Sequence, residues 1–377
     1  MGLVGHINPL VPLARALTER GHELRWATAP DGCARVEQAG FDAVPAGITQ
    51  AARWAEMDRR FAAIAQLPPQ QRPDAMFPRL FGTISAPPAL ADLLPLVQAW
   101  QPQLVINDAA ELASPIAAAA IDVPHATHAF GALLPEHRVR AGGEAVAELW
   151  QAQGLQPRPY AGLYDHVYID IYPPSMQPPG GDHLGARRHL RPVAFAGATD
   201  ERLDPTILER TGKPLVYLTF GTVFNDHPAF PVAVAGIHAA GVGAVVTVGP
   251  GADPATLGPQ PSGIVVERYI PQTLLLPECD VVASHAGSGT ALAALAAGIP
   301  QLCLPQAADQ FLNAAAITRA GAGISIAPQD VDAAGVALAI RRLLDDHGYR
   351  DAAGRVAAEI AAMPSPDAVA AHLEALV

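Results

Sequence analysis

From residue 214 onward the sequence keeps returning to one unit, a short apolar run followed by a helical stretch of about ten residues. Apolar runs fall at 214–220, 243–249, 263–267, 280–284, 300–304 and 323–326. Helical patterns fall at 230–240, 290–297, 310–320 and 332–345, with a short helix through 274–276. Strands that alternate with helices in this way build βαβ units and a parallel, doubly wound sheet. Half of the residues are apolar but only 6% are aromatic. Cores built from Ala, Val, Leu and Ile suit helices packed on a sheet buried on both faces.

The first half repeats the pattern with larger interruptions. A helix is expected over 8–20, ended by Gly21, then a strand over 22–28 and a helix over 31–39, ended by Gly40. A buried strand at 104–106, a helix at 112–120 and a short strand at 124–128 follow. The intervening stretch carries Trp54, Met57, Phe61, Met76, Phe77 and Phe81, and a second irregular stretch at 172–180 is rich in proline. Long excursions of this sort serve as functional loops or staple local helices to the sheet, and both readings stand. The expected organisation is an N-terminal domain over 1–200, a polar linker over 201–214, and a C-terminal domain over 215–377. The last helix is a candidate for packing back on the N-terminal domain. The expected fold is α/β: two Rossmann-like doubly wound parallel-sheet domains facing across a cleft, where open α/β sheets bind ligands.

The formal charge of −12 argues against nucleic acid or an anionic membrane as a partner. Cys33, Cys279 and Cys303 lie far apart without a C-x-x-C pair, as expected of reduced thiols in a cytoplasmic protein. No secretory signal and no apolar run long enough to span a bilayer is read, so stable membrane insertion is not expected.

The strongest motif is His285-Ala-Gly-Ser-Gly-Thr290, which follows one expected strand and opens a helix. Small residues at a helix N-terminus let backbone amides approach an anion, and the helix dipole favours it. His285, Ser288 and Thr290 add side-chain donors that fit a diphosphate without lysine. A tight strand-to-helix turn with Thr290 as N-cap fits the same residues. Asp309 and Gln310 end the next strand on the same side of the sheet, suited to bracket a sugar's hydroxyls, although Asp309 alone would be an ordinary N-cap. The run Arg268-Tyr-Ile-Pro-Gln272 offers Tyr269, Ile270 and Gln272 to a nucleobase, and Thr222, in Phe220-Gly-Thr222, offers a phosphate contact.

In this order, Phe-Gly-Thr, Tyr-Ile-Pro-Gln, His-Ala-Gly-Ser-Gly-Thr and Pro-x-x-x-Asp-Gln resemble the donor signature of the two-Rossmann-domain (GT-B) inverting glycosyltransferases. The similarity is greatest to the bacterial branch that decorates polyketides and related antibiotics. It is dense from 214 to 345 and thinner before. The resemblance implies a diphosphate held by His285, Gly287, Ser288, Gly289 and Thr290. It implies a base beside Tyr269 and a donor sugar contacted by Asp309 and Gln310. Tyr269 stands where Trp is commoner, and Ala286 where Gly is usual.

The first half contributes Gly5-His-Ile-Asn-Pro9. On spacing alone His6, in a loop ahead of an apolar helix, reads as a capping or packed histidine. The resemblance makes it the general base, because the family carries that base in G-H-x-x-P. Asp108 is similar to the carboxylate that orients the base, with Glu111 behind it. In related sequences a short apolar strand precedes this loop. The expectation is that such a strand precedes the sequence given, because a sheet without its central strand exposes two edges.

No G-x-x-x-x-G-K-[ST], H-E-x-x-H or G-x-G-x-x-G occurs, and the Ser288 turn is not G-x-S-x-G. Asp330-Val-Asp332 reads as helix capping, so no metal and no bound cofactor is expected; the nucleotide diphosphate sugar is a co-substrate. His125 and His128 fall beside the expected acceptor cleft but read as structural. The implied activity is transfer of a deoxysugar from a TDP- or UDP-sugar to a hydroxyl of a small apolar aglycone, with a homodimer left open. A nucleotide-sugar epimerase of the same architecture and a non-catalytic nucleotide-sugar-binding partner protein are the rival readings.

Overall fold

The computed structural model describes residues 2–195, 202–212, 214–221, 229–249 and 251–377. Thr222 lies outside the described residues. The chain divides into two compact units, one of Met1–Tyr172, Pro178–Arg191 and Met363–Val377, the other of Pro173–Gln177 and Pro192–Ala362.

The first unit holds two parallel sheets. β1 (Trp26–Thr28) pairs with β2 (Ala43–Pro45), and β3 (Val105–Asp108), β4 (His125–His128), β5 (Val167–Asp170) and β6 (Ala186–His189) pair in sequential order. β5 and β6 have no counterpart in the sequence reading: β6 alternates exposed and half-buried residues without an apolar run. β4 and β5 are buried along their whole length, so the polar groups of β4 need partners inside the protein. His125 Nε2 meets the Gly162 carbonyl at 2.9 Å and its Nδ1 meets His166 Nδ1 at 3.0 Å.

The segment between β2 and β3 is helical. Arg72–Phe77, the π-helical Pro78–Ser85 and Ala86–Trp100 run on as one rod. Inside the π section Ser85 Oγ donates to the Leu80 carbonyl at 2.6 Å, five residues back, which suits the wider π turn. By length and composition alone this rod could cross a membrane, which corrects the expectation that no run is long enough. The folded helix continues through both Pro78 and Pro95. Leu80, Ile84, Leu90, Leu93 and Val97 on it are buried within the protein. Leu80 and Ile84 cluster with Met57 and Ile64, against which Phe61, Met76 and Phe81 pack. Phe61, Phe77 and Phe81 of this excursion thus pack helices on one another, whereas Trp54 is largely exposed.

Among the described residues the second unit holds one sheet of six parallel strands, β7 (Leu215–Thr219), β8 (Gly243–Thr247), β9 (Ile264–Glu267), β10 (Val281–Ser284), β11 (Gln301–Cys303) and β12 (Gly323–Ser325), in the order β12-β11-β10-β7-β8-β9. Alternate residues of β7 and its extension face opposite layers, as a pleated strand requires. Val216, Leu218 and Phe220 meet Phe230, Ile237, Val336 and Ile340 of helices Ala229–Ala240 and Ala333–Asp345. Leu215 and Tyr217 meet Ile270, Leu275 and Ala294 on the other face. Each fully buried aliphatic or aromatic side chain of this kind contributes roughly 1.5–3 kcal/mol. The winding reverses between β7 and β10. Beyond the carboxyl ends of that pair lies the switch point at which open α/β sheets bind ligands.

Candidate active site

His6 lies in a helical turn, Val4–Ile7, rather than in a loop ahead of a helix. The Leu3 carbonyl accepts from the amides of His6 and Ile7, at 2.9 and 3.0 Å, and closes that turn. Pro9 has no N–H to continue the α pattern, so the backbone tightens to a 3-10 turn at Asn8–Leu10 before the helix Val11–Glu19. The ring is packed by Phe130 (centroids 4.5 Å apart) and Phe81 (6.3 Å).

β3 carries Asp108 to this ring. His6 Nδ1 meets Asp108 Oδ1 at 3.0 Å, and the same oxygen accepts from the Ala110 amide at 2.8 Å. The carboxylate is 7% exposed. With an ionised carboxylate as acceptor, Nδ1 carries the proton and Nε2 is left as the basic nitrogen. Glu111, the alternative carboxylate, is committed elsewhere. It accepts from the amides of Ala113 and Ser114 and from the Ser114 hydroxyl at the start of helix Ser114–Ala120. The acidic residue nearest the helix start was drawn into capping by the orphan amides there. His128, opposite Asp108 in the register of β3 and β4, is fully buried, and burial pushes its pKa down to about 4. His125 is likewise lowered to about 4, by burial first and then by His166.

The second unit gathers its residues at the switch point. His285 follows β10 and faces Gly221, which follows β7. A β-carbon on Gly221 would lie 2.8 Å from His285 Cε1, and one on Gly287 would lie 2.5 Å from Nε2. Only glycine on both sides leaves room for the ring. Burial lowers the His285 pKa to about 4, against the opposing pull of Asp309 and a hydrogen bond to the Thr219 backbone. The ring is therefore neutral near pH 7 and carries one N–H. Between the flanking residues, Ala286 adopts φ +62°, a left-handed conformation that favours glycine.

Helix Ser288–Ala296 starts two residues earlier than its apolar pattern suggests. Gly287 is its N-cap and no side chain closes the end, so the alternative of Thr290 as N-cap does not hold. Thr290 sits inside the first turn and its hydroxyl accepts from Gln272 Nε2 at 3.0 Å. Gln272 also reaches the Tyr217 hydroxyl at 3.3 Å, which meets Thr247 Oγ1 at 2.9 Å. Ile270 is buried, whereas Tyr269 is 49% exposed. Asp309 occupies the N-cap position of helix Gln310–Arg319 without capping it. Its Oδ2 instead accepts from Ser288 Oγ at 2.6 Å and from Asn313 Nδ2 at 2.9 Å. Gln310 Oε1 accepts from the amides of Gln306 and Ala307, at 2.7 and 2.9 Å, which leaves its amide nitrogen as the group to offer a ligand. Asp332 caps its helix through the Gly335 amide.

His285, Gly287, Ser288, Gly289, Thr290, Gln272 and Asp309 are thus contiguous in the second unit, and His6 and Asp108 in the first. Asn313 was missed by sequence reasoning. Its signal was its place four residues after Asp309 and three after Gln310, on one helical face. The group in the second unit offers uncapped amides, a neutral imidazole and the Thr290 hydroxyl to an anion; the pair in the first unit offers a carboxylate-oriented imidazole to a proton.

The N-terminal domain of the erythromycin biosynthesis protein CIII-like family matches residues 15–199, and its C-terminal domain matches residues 234–376. Elloramycin glycosyltransferase ElmGT of Streptomyces olivaceus is 32% identical over 381 residues, spanning 98% of this chain and 94% of that relative. Spinosyn rhamnosyltransferase SpnG complexed with thymidine diphosphate has a TM-score of 0.80 at 28% identity, covering 99% of this chain and 98% of that one. The SpnG complex with spinosyn aglycone gives 0.79 at 27% identity, with coverage of 99% and 98%.

Proposed function

The chain belongs to the erythromycin biosynthesis protein CIII-like family and is a natural-product glycosyltransferase that uses a nucleotide sugar; from that premise we propose a single-displacement, inverting transfer from a TDP-sugar to a hydroxyl of an apolar aglycone. One observation carries the reading, the hydrogen bond of 3.0 Å between His6 Nδ1 and Asp108 Oδ1. It directs the basic Nε2 away from the carboxylate, as a general base requires.

In the proposed step Nε2 takes the proton of the acceptor hydroxyl as its oxygen forms a bond to the anomeric carbon. The bond from that carbon to the diphosphate oxygen breaks, and its electron pair leaves with the nucleotide. One displacement from the opposite face inverts the anomeric centre. Charge on the leaving diphosphate is met by the amides at 287–290, by the Thr290 hydroxyl and by the His285 N–H, whereas the Ser288 hydroxyl is spent on Asp309. No metal is needed in this scheme. Asp309 and the Gln310 amide contact the donor sugar, and Tyr269, the backbone of Ile270 and Gln272 receive the base. Thymidine diphosphate bound to SpnG supports TDP over UDP, and the aglycone bound to the same enzyme supports an aglycone acceptor.

The test is His6→Ala assayed for transfer and, separately, for TDP binding by calorimetry. Transfer is expected to be lost with TDP affinity retained. Turnover by H6A would sink the general-base role, and failure of the unaltered protein to bind TDP would sink the donor assignment.

A further inference from the structure

Asn313 is fully buried, and its Nδ2 lies within hydrogen-bond distance of three acceptors at once. They are the Ala286 carbonyl at 2.9 Å, Ser288 Oγ at 3.0 Å and Asp309 Oδ2 at 2.9 Å. Two of these belong to the glycine-rich turn and the third to the carboxylate at the N-cap position of the helix after β11. Ser288 Oγ donates to the same Asp309 oxygen at 2.6 Å and so closes a three-membered ring of hydrogen bonds.

We propose that Asn313 is a positioning residue that couples the donor-sugar carboxylate to the diphosphate turn, so that Asp309 sets the turn's geometry without touching the nucleotide. The proposal rests on the reading above that the turn holds the diphosphate. Three features support it. Ala286 holds φ +62° against its own preference, so some contact has to keep that peptide in place, and the Asn313 amide grips its carbonyl. Ser288 is the first residue of the helix whose amides face the diphosphate, and its hydroxyl is shared with Asn313 and Asp309. Finally, Asn313 and Asp309 lie one turn apart on one helical segment, so movement at either is carried to the other.

A donor sugar that engages Asp309 would thereby tighten the turn around the diphosphate, and a bare nucleotide would read the state of Asp309 through the same link. Aspartate substituted at 313 would put two carboxylates in contact and remove the donor.

The experiment measures TDP affinity by calorimetry and steady-state kinetics for Asn313→Ala, Asn313→Asp, Asp309→Asn and the pair Asn313→Ala/Asp309→Asn. Expected are roughly 10-fold weaker TDP binding for N313A and for D309N, a larger loss for N313D, and a double variant no weaker than about one single change. Donor KM rises by the same factor as the TDP dissociation constant, while acceptor KM stays put. A residue that only supports the fold would lower the melting temperature and the active fraction, and leave both constants unchanged. Additive losses, or TDP affinity unchanged in N313A, would overturn the coupling while leaving the donor reading intact. If neither variant at 313 folds, D309N carries the test alone, since unchanged TDP affinity in it overturns the coupling. Absence of TDP binding by the unaltered enzyme would overturn the donor reading, and the coupling with it.

Discussion

Gly221 and His285 are packed so closely that a β-carbon on the glycine would stand 2.8 Å from the imidazole Cε1. Gly221 also holds φ +74°, which a side chain resists. Gly221→Ala is therefore expected to lose ~1–3 kcal/mol of stability and to displace His285, weakening TDP binding with little change in acceptor KM. Urea denaturation and calorimetry check this. A G221A protein with unaltered stability and affinity would show that the ring does not need its place over β7.

Asp108→Asn separates charge from orientation. The Ala110 amide holds Oδ1 in place, so an asparagine oxygen would still accept from His6 Nδ1 and preserve the tautomer. What is lost is the negative charge that stabilises the imidazolium formed in the step. The expected result is kcat lower by ~10²-fold with TDP affinity unchanged. A kcat near that of the unaltered enzyme would remove Asp108 from the mechanism.

Three buried histidines tie stability to acid. Burial, first among the causes, holds His125, His128 and His285 at about 4. An unfolded histidine titrates near 6.5, so between about 6.5 and 4 the unfolded chain binds protons that the native protein does not. Stability should accordingly be flat with respect to these groups above about pH 7 and fall as pH drops from about 6.5 towards 4, by up to ~1.4 kcal/mol per unit for each ring. His125→Gln should make the decline shallower. Chemical denaturation across this range tests it, and an identical slope in H125Q would refute the assignment for that ring.

Arg53 is 3% exposed, and its guanidinium makes a single hydrogen bond of 3.5 Å to the Ile48 carbonyl, with Nε unpartnered among the described residues. Burial lowers its pKa against the opposing charge of Asp31. A buried cation so poorly paired is a burden on the fold. Arg53→Met, which keeps the length of the stem, is expected to raise stability by ~1–3 kcal/mol. A fall in melting temperature would show that the guanidinium is better compensated than its contacts suggest.

Most of the second unit was legible in advance, because each of its strands is a short apolar run bounded by a turn; the helices Pro205–Thr211, inside the stretch expected as a linker, and His347–Ala362 were not. The first unit was less so. The polar β6 carries no apolar run, and the helix that passes through Pro78 and Pro95 is held by packing on its neighbours rather than by propensity. The start of the helix after His285 was read two residues late because Ser288 and Gly289 are poor helix formers, whereas the turn around Gly287 sets where the helix begins. Glu111 was read as a reserve carboxylate because a sequence does not display orphan amides waiting for a cap.

By itself the sequence determined the alternation of strand and helix, the small residues at the turn after β10, and the identity of the groups with chemistry to offer. These are properties of neighbours in the chain, set by side-chain period and by the backbone freedom of glycine. Only the tertiary structure decided which groups meet. His6 and Asp108 are 102 residues apart, and His285 reaches Gly221 because β10 lies beside β7. Asn313 touches both the turn and the carboxylate because β11 lies beside β10 and carries its helix to that side. Such pairings follow from strand order, which is the outcome of burying both faces of a sheet at once and is written in no single segment.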